Sequence, residues 1–106
     1  MTLAEFKTKL ETAQGFTGKV AYRAFPIGEA PDLPFICFIY TGDDTFLADD
    51  VIFYAKKQVI VELYSRQKDE ASEAAVEAVL AGFIYTKEES WIEDERMTLI
   101  TYTMEV

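Results

Sequence analysis

From Thr98 to Val106 the chain alternates without a break: Thr98, Ile100, Tyr102, Met104 and Val106 fall on one side, and Leu99, Thr101, Thr103 and Glu105 on the other. A side-chain period of two is the geometry of a strand with one face against a core. Such a chain must build a sheet and also supply something to cover it. Two helical patterns are available for that. Leu3, Phe6, Leu10 and Ala13 recur at helical spacing, Thr2 and Glu5 match a capping box, and Gly15 ends the pattern, which predicts a helix over Leu3 to Gln14. Asp69 is a candidate N-cap for a second helix, in which Ala75, Val76, Val79 and Leu80 form the core stripe and Gly82 lies just past the end.

The remaining strands follow from apolar patterning. Val20, Tyr22 and Ala24 alternate with Lys19, Ala21 and Arg23, and the proline-containing stretch from Pro26 to Pro34 is a connecting loop. Phe35 to Thr41 is apolar on both faces and is expected to be a central strand. Val51 to Ser65 alternates again, with Val59, Val61 and Leu63 against Gln58, Ile60 and Glu62. Phe83 to Tyr85 begins a further strand, and Glu88 to Arg96 is either a turn or part of a long hairpin around Trp91 and Ile92. The predicted fold is therefore α+β, in the order α-β-β-β-α-β-β. It is a single domain over residues 1–106 with one mixed, mostly antiparallel sheet of about five strands and both helices packed on it. The helix between the third and fourth strands allows a crossover that makes those two strands parallel. Hydrophobic residues make up 50% of the chain, which excludes intrinsic disorder.

Few residues invite chemistry. There is no histidine, and the one cysteine, Cys37, lies between Ile36 and Phe38, where a thiol is ordinarily a packing group. Neither a multi-cysteine zinc site nor a glycine-rich phosphate loop is present in the sequence, so no catalytic residue, metal or cofactor is expected. No signal-peptide core or membrane-length apolar run is seen, so neither export nor membrane attachment is expected. Two features stand out instead. The segment Gly42 to Asp50 sets Phe46 and Leu47 among Asp43, Asp44, Asp49 and Asp50. It is expected to be a projecting hairpin tip or loop that meets a neighbouring subunit or another protein. Its aspartates do not follow the spacing of a calcium loop and read as a solvated turn. The second feature is charge. The net charge is −9, and residues 67–106 hold 10 acids against 3 bases. Glu70, Glu73 and Glu77 recur along one side of the second helix, while Glu88 and Glu89 begin another acidic cluster. Such a surface either keeps the chain solvated or faces something it must not hold.

The short N-terminal helix, the loop into "LPFICFIY", the acidic "TGDDTFLADD", the strand "KKQVIVELYSRQKDE", the small alanine-rich helix and the C-terminal "ERMTLITYTMEV" together resemble the small tail-completion proteins of long-tailed bacteriophages and prophages, in particular the tail terminator and head-to-tail joining group. The resemblance covers nearly the whole chain in pattern and order and carries no residue motif. It implies a non-enzymatic virion protein, made in the bacterial cytoplasm, that forms a ring, usually hexameric, at the head-proximal end of the tail. Its partners would be copies of itself, the tail-tube protein and a head-completion or neck protein, with DNA only as the passing genome. On that reading Asp43, Asp44, Phe46, Leu47, Asp49 and Asp50 form an interface, and Glu70, Glu73, Glu77, Glu88 and Glu89 line the lumen. The competing readings are a monomeric acidic inhibitor of a basic partner and a small-molecule-binding α+β domain.

Overall fold

The computed structural model describes residues 1–48 and 51–106, apart from the side chains at 47, 48 and 51–54. Its elements are α1 (Leu3–Glu11), β1 (Val20–Tyr22), β2 (Phe35–Ala48), β3 (Val51–Ser65), α2 (Glu70–Val79), β4 (Tyr85–Ile92) and β5 (Met97–Glu105). This is the α+β order read from the sequence. Both helix starts form as expected. Thr2 Oγ1 accepts from the Glu5 amide at 3.1 Å while the Thr2 amide donates back to Glu5 at 2.9 Å, and Asp69 accepts from the Ser72 amide at 3.0 Å. Helix α1 is shorter than predicted, because Thr12 already serves as its C-cap.

The five strands form one sheet in the order β1-β2-β3-β5-β4. The centre is β3, not the apolar β2, since β3 is the strand whose neighbours each pair along most of their length. Strands β3 and β4 do run in the same direction, but β5 is inserted between them and pairs antiparallel with both. The adjacent parallel pair is β1 with β2, joined through the proline-containing loop instead of a helix. Strand β1 stops at Tyr22 because Arg23 takes a φ of 67°, which turns the chain out of the sheet before Ala24 can join it. Gly18 precedes β1 for a steric reason. A Cβ at that position would run into the Pro34 carbonyl oxygen, so a side chain there would push the loop away from β2.

Both helices pack on the same side of the sheet. Phe6 and Leu10 of α1 and Val76 of α2, with Leu80 just beyond it, close over Ile36, Phe38, Val61, Leu63, Ile100 and Tyr102, all buried. Phe6 meets the rings of Phe38 and Phe83 edge-on, with centroids 5.8 and 6.3 Å away. Alternation then sends Phe35, Ile39, Ile60, Tyr64 and Leu99 to the opposite side, where no helix lies and each is only half-buried. Among the described residues no helix is long and apolar enough to cross a membrane.

Candidate interaction surface

The segment read as a hairpin tip or projecting loop, Gly42 to Asp50, is mostly paired strand in its described part. β2 and β3 continue to pair from Asp43 with Lys57 out to Ala48 with Val51, whereas β1 flanks β2 only at Ile36–Phe38 and β5 flanks β3 only from Gln58 onward, with Val106 bonded to Lys57. The two strands thus leave the sheet as an arm of about 20 Å, at roughly 3.3 Å per residue. The molecule is correspondingly elongated, 50 × 27 × 23 Å. Asp49 and Asp50 lie outside the described residues, as does the Leu47 side chain.

A bulge at the root of the arm decides which way its side chains point. Between Tyr40 and Gly42 the register shifts by one residue, and Gly42 takes a φ of 151° that glycine accommodates without strain. Asp43 is thereby brought to the side of Tyr40, whose hydroxyl donates to Asp43 Oδ1 at 2.9 Å. Asp44 and Phe46 instead continue the uncovered face, opposite Lys56 and Tyr54. A hydrogen bond with Asp44 raises the Glu105 carboxyl above its ordinary 4.5. Phe46 is 37% exposed.

The acidic residues do not form one wall. Glu73 is buried, at 4% exposure, so it is not part of the outward-facing row read from helical spacing. Two lysines that the spacing argument did not pair with it account for this. Lys68 Nζ lies 2.9 Å from Glu73 Oε2 and Lys87 Nζ lies 2.8 Å from Glu73 Oε1. Lys87 also reaches Glu77 at 2.8 Å, and Lys68 reaches Glu89 at 2.6 Å. The Tyr102 hydroxyl donates to Glu77 Oε2 at 2.8 Å, anchoring the network to the core. Two of the three acids read along one side of α2 are therefore held in ion pairs, by Lys87 of β4 and by Lys68. Glu88 points to the other side of the sheet, in register with Thr101 and Glu62, and Glu70 stays exposed in the first turn of α2.

This network sets the pH response. Burial alone would raise the Glu73 carboxyl, but the ammonium groups of Lys87 and Lys68 outweigh it and hold the group below its ordinary 4.5. Hydrogen bonds to Glu73 and Glu77 raise Lys87, and burial followed by the bond to Glu77 raises Tyr102. A depressed carboxyl adds stability that is complete above its unfolded value and is lost as pH falls through the folded one; the raised lysine and phenol lose theirs as pH climbs above about 10. Thermal melts should therefore give a midpoint that is flat between about pH 6 and 9 and falls at both ends. Glu73→Gln should lower the plateau and flatten the acid limb. An unchanged acid limb would show that the network does not couple to folding.

Cys37 is 4% exposed, and burial followed by the nearby Glu62 pushes its thiol up to about 11, the state of an unreactive packing group. Among the described residues no three histidine, cysteine, aspartate or glutamate side chains group as a metal site. A groove of about 560 Å³ crosses the uncovered face near the root of the arm, between Lys56, Gln58, Ile84, Thr86 and Thr103. Exposed large apolar side chains lie on both the arm and this face, Phe46 on the arm and Ile84 beside the groove. Sequence reasoning located the arm through Phe46 and Leu47 but missed the face, because its half-buried residues share strands with the core and carry no separate signal. No protein-family model matches the chain, and a comparison with curated proteins finds no match either.

Proposed function

We propose that this chain is a non-enzymatic virion subunit of a long-tailed phage or prophage, forming a ring at the head-proximal end of the tail that ends tube growth and joins tail to head. The supporting observation is the hairpin arm beyond the sheet. A two-stranded hairpin has little independent stability in water, so an arm of this length gains most from a partner surface, here a neighbouring subunit or the tail-tube protein. Asp43, Asp44, Phe46 and Leu47 belong to that contact. Glu70 remains a candidate for a lumen wall that does not retain DNA, whereas Glu73, Glu77 and Glu89 are engaged with lysines and Glu88 lies on the other side of the sheet.

The test is to add the purified chain to polymerising tail-tube subunits and image the products by negative stain. Tubes should stop at a defined length with a ring at one end. Replacing Phe46 and Leu47 together with serine should abolish capping and leave the melting temperature within a few degrees. Tube growth unaffected by the unaltered chain would overturn the reading.

A further inference from the structure

We propose that a second groove, between α1 and the end of β1, receives the arm of another copy of this chain, with Phe46 and Leu47 set into it and the acidic outer part of the arm against Lys7 and Arg23. The inference rests on the arm being a contact element and names the surface that takes it.

This groove has a volume of about 440 Å³ and is lined by Leu3, Ala4 and Lys7 of α1, Tyr22 of β1 and Phe38 of β2. Binding pockets ordinarily span roughly 300–1,000 Å³, with mostly apolar walls and a few polar groups that fix orientation. It lies on the helix side of the sheet, away from the uncovered face, and at the root of the arm. There the Tyr40 amide, two residues after Phe38, donates to the Tyr22 hydroxyl at 3.2 Å. Lys7 is the one charged residue in the lining. It is half-buried, yet among the described residues its ammonium makes no ion pair or hydrogen bond. Glu5 is turned back to the Thr2 amide, and Glu11, one turn further along α1, forms no ion pair with it. Asp43, the acid of the arm root on this side, is held by the Tyr40 hydroxyl. Arg23, exposed just past Tyr22, is equally without an ion pair among the described residues. An apolar groove with two unpaired cations suits an apolar segment that carries acids.

The arm has that composition. Residues 44–55 contain Asp44, Asp49 and Asp50 and no base, around the apolar pair Phe46 and Leu47. It cannot fill the groove of its own copy. β2 and β3 remain paired out to Ala48 and Val51, so the outer part of the arm is carried about 20 Å away from the root where that groove lies. The occupant is therefore the arm of a different copy. Arm and groove are separate surfaces, so each copy can give its arm to one neighbour and take the arm of another. Such a head-to-tail contact passes from copy to copy and closes into a ring where the rotation allows.

Sedimentation velocity of the full chain from micromolar to millimolar concentration tests this. The unaltered chain should associate beyond a dimer as concentration rises. Ala4 is exposed in the groove wall, so Ala4→Phe fills the groove without entering the core. Ala4→Phe, Lys7→Glu, and Phe46→Ser combined with Leu47→Ser should each weaken association by about tenfold or more. An equimolar mixture of Ala4→Phe with the Phe46→Ser, Leu47→Ser variant should recover a dimer of one copy of each and nothing larger, because one supplies the only intact arm and the other the only intact groove. Circular dichroism melts within a few degrees of the unaltered chain would show that each variant folds. A strict monomer at millimolar concentration, or a mixture that associates no better than its components, would overturn the contact. Tube capping that survives both Ala4→Phe and Lys7→Glu would leave the proposed function standing and count against this contact. The mixed dimer together with unaffected tube growth would support the contact and remove the phage reading.

Discussion

Tyr102→Ala should destabilise the fold by about 3–5 kcal/mol, which for a domain of this size lowers the thermal midpoint by about 15 °C or more. Tyr102 is fully buried in β5, meets Tyr85 edge-on at 5.4 Å, and donates to Glu77. Truncation removes both a large part of the core and the tether between the sheet and the α2–β4 ion pairs. Tyr102→Phe separates the two effects: the ring stays, only the hydrogen bond to a charged acceptor is lost, and the cost should fall to about 1.5–3 kcal/mol. Urea unfolding of both variants measures the difference. Equal losses would mean that the hydroxyl, not the packing, carries the residue's contribution.

Phe6→Ala should cost about 3–5 kcal/mol as well, by a different route. Phe6 is fully buried and joins α1 to the sheet through Phe38 and Phe83. With only nine residues, α1 is too short to be helical on its own and depends on this docking. The substitution should therefore release α1 before the rest unfolds. Amides in residues 3–11 should lose hydrogen-exchange protection while those of β3 and β5 keep theirs. A loss below 1 kcal/mol, or uniform deprotection across the sheet, would show that α1 is not held in this way.

Elements with a local cause were legible in the chain itself. The capping box at Thr2 and Glu5, the Asp69 cap, the span Val51 to Ser65 and the alternation ending at Val106 each depend on neighbours a few residues away, and each appears as read. Cys37 was legible too, because a thiol in an apolar run has few other uses. The order of the strands was not. Nothing in β4 or β5 states that β5 inserts beside β3, or that the parallel pair is β1 with β2, since those choices compare long-range pairings that local periodicity does not distinguish. Charge misled for a related reason. Helical spacing placed Glu70, Glu73 and Glu77 along one side of α2, but Lys87 reaches Glu73 and Glu77 from a strand that only the tertiary fold brings alongside. The aspartates and Phe46 marked where the chain projects. How far it projects, and on which side Lys56, Asp44 and Phe46 emerge, depended on where β1 and β5 stop pairing and on one extra residue at the Tyr40–Gly42 bulge. A period-two pattern determines which residues share a face; the long-range pairing and the docking of both helices decide which face is covered and which is left bare.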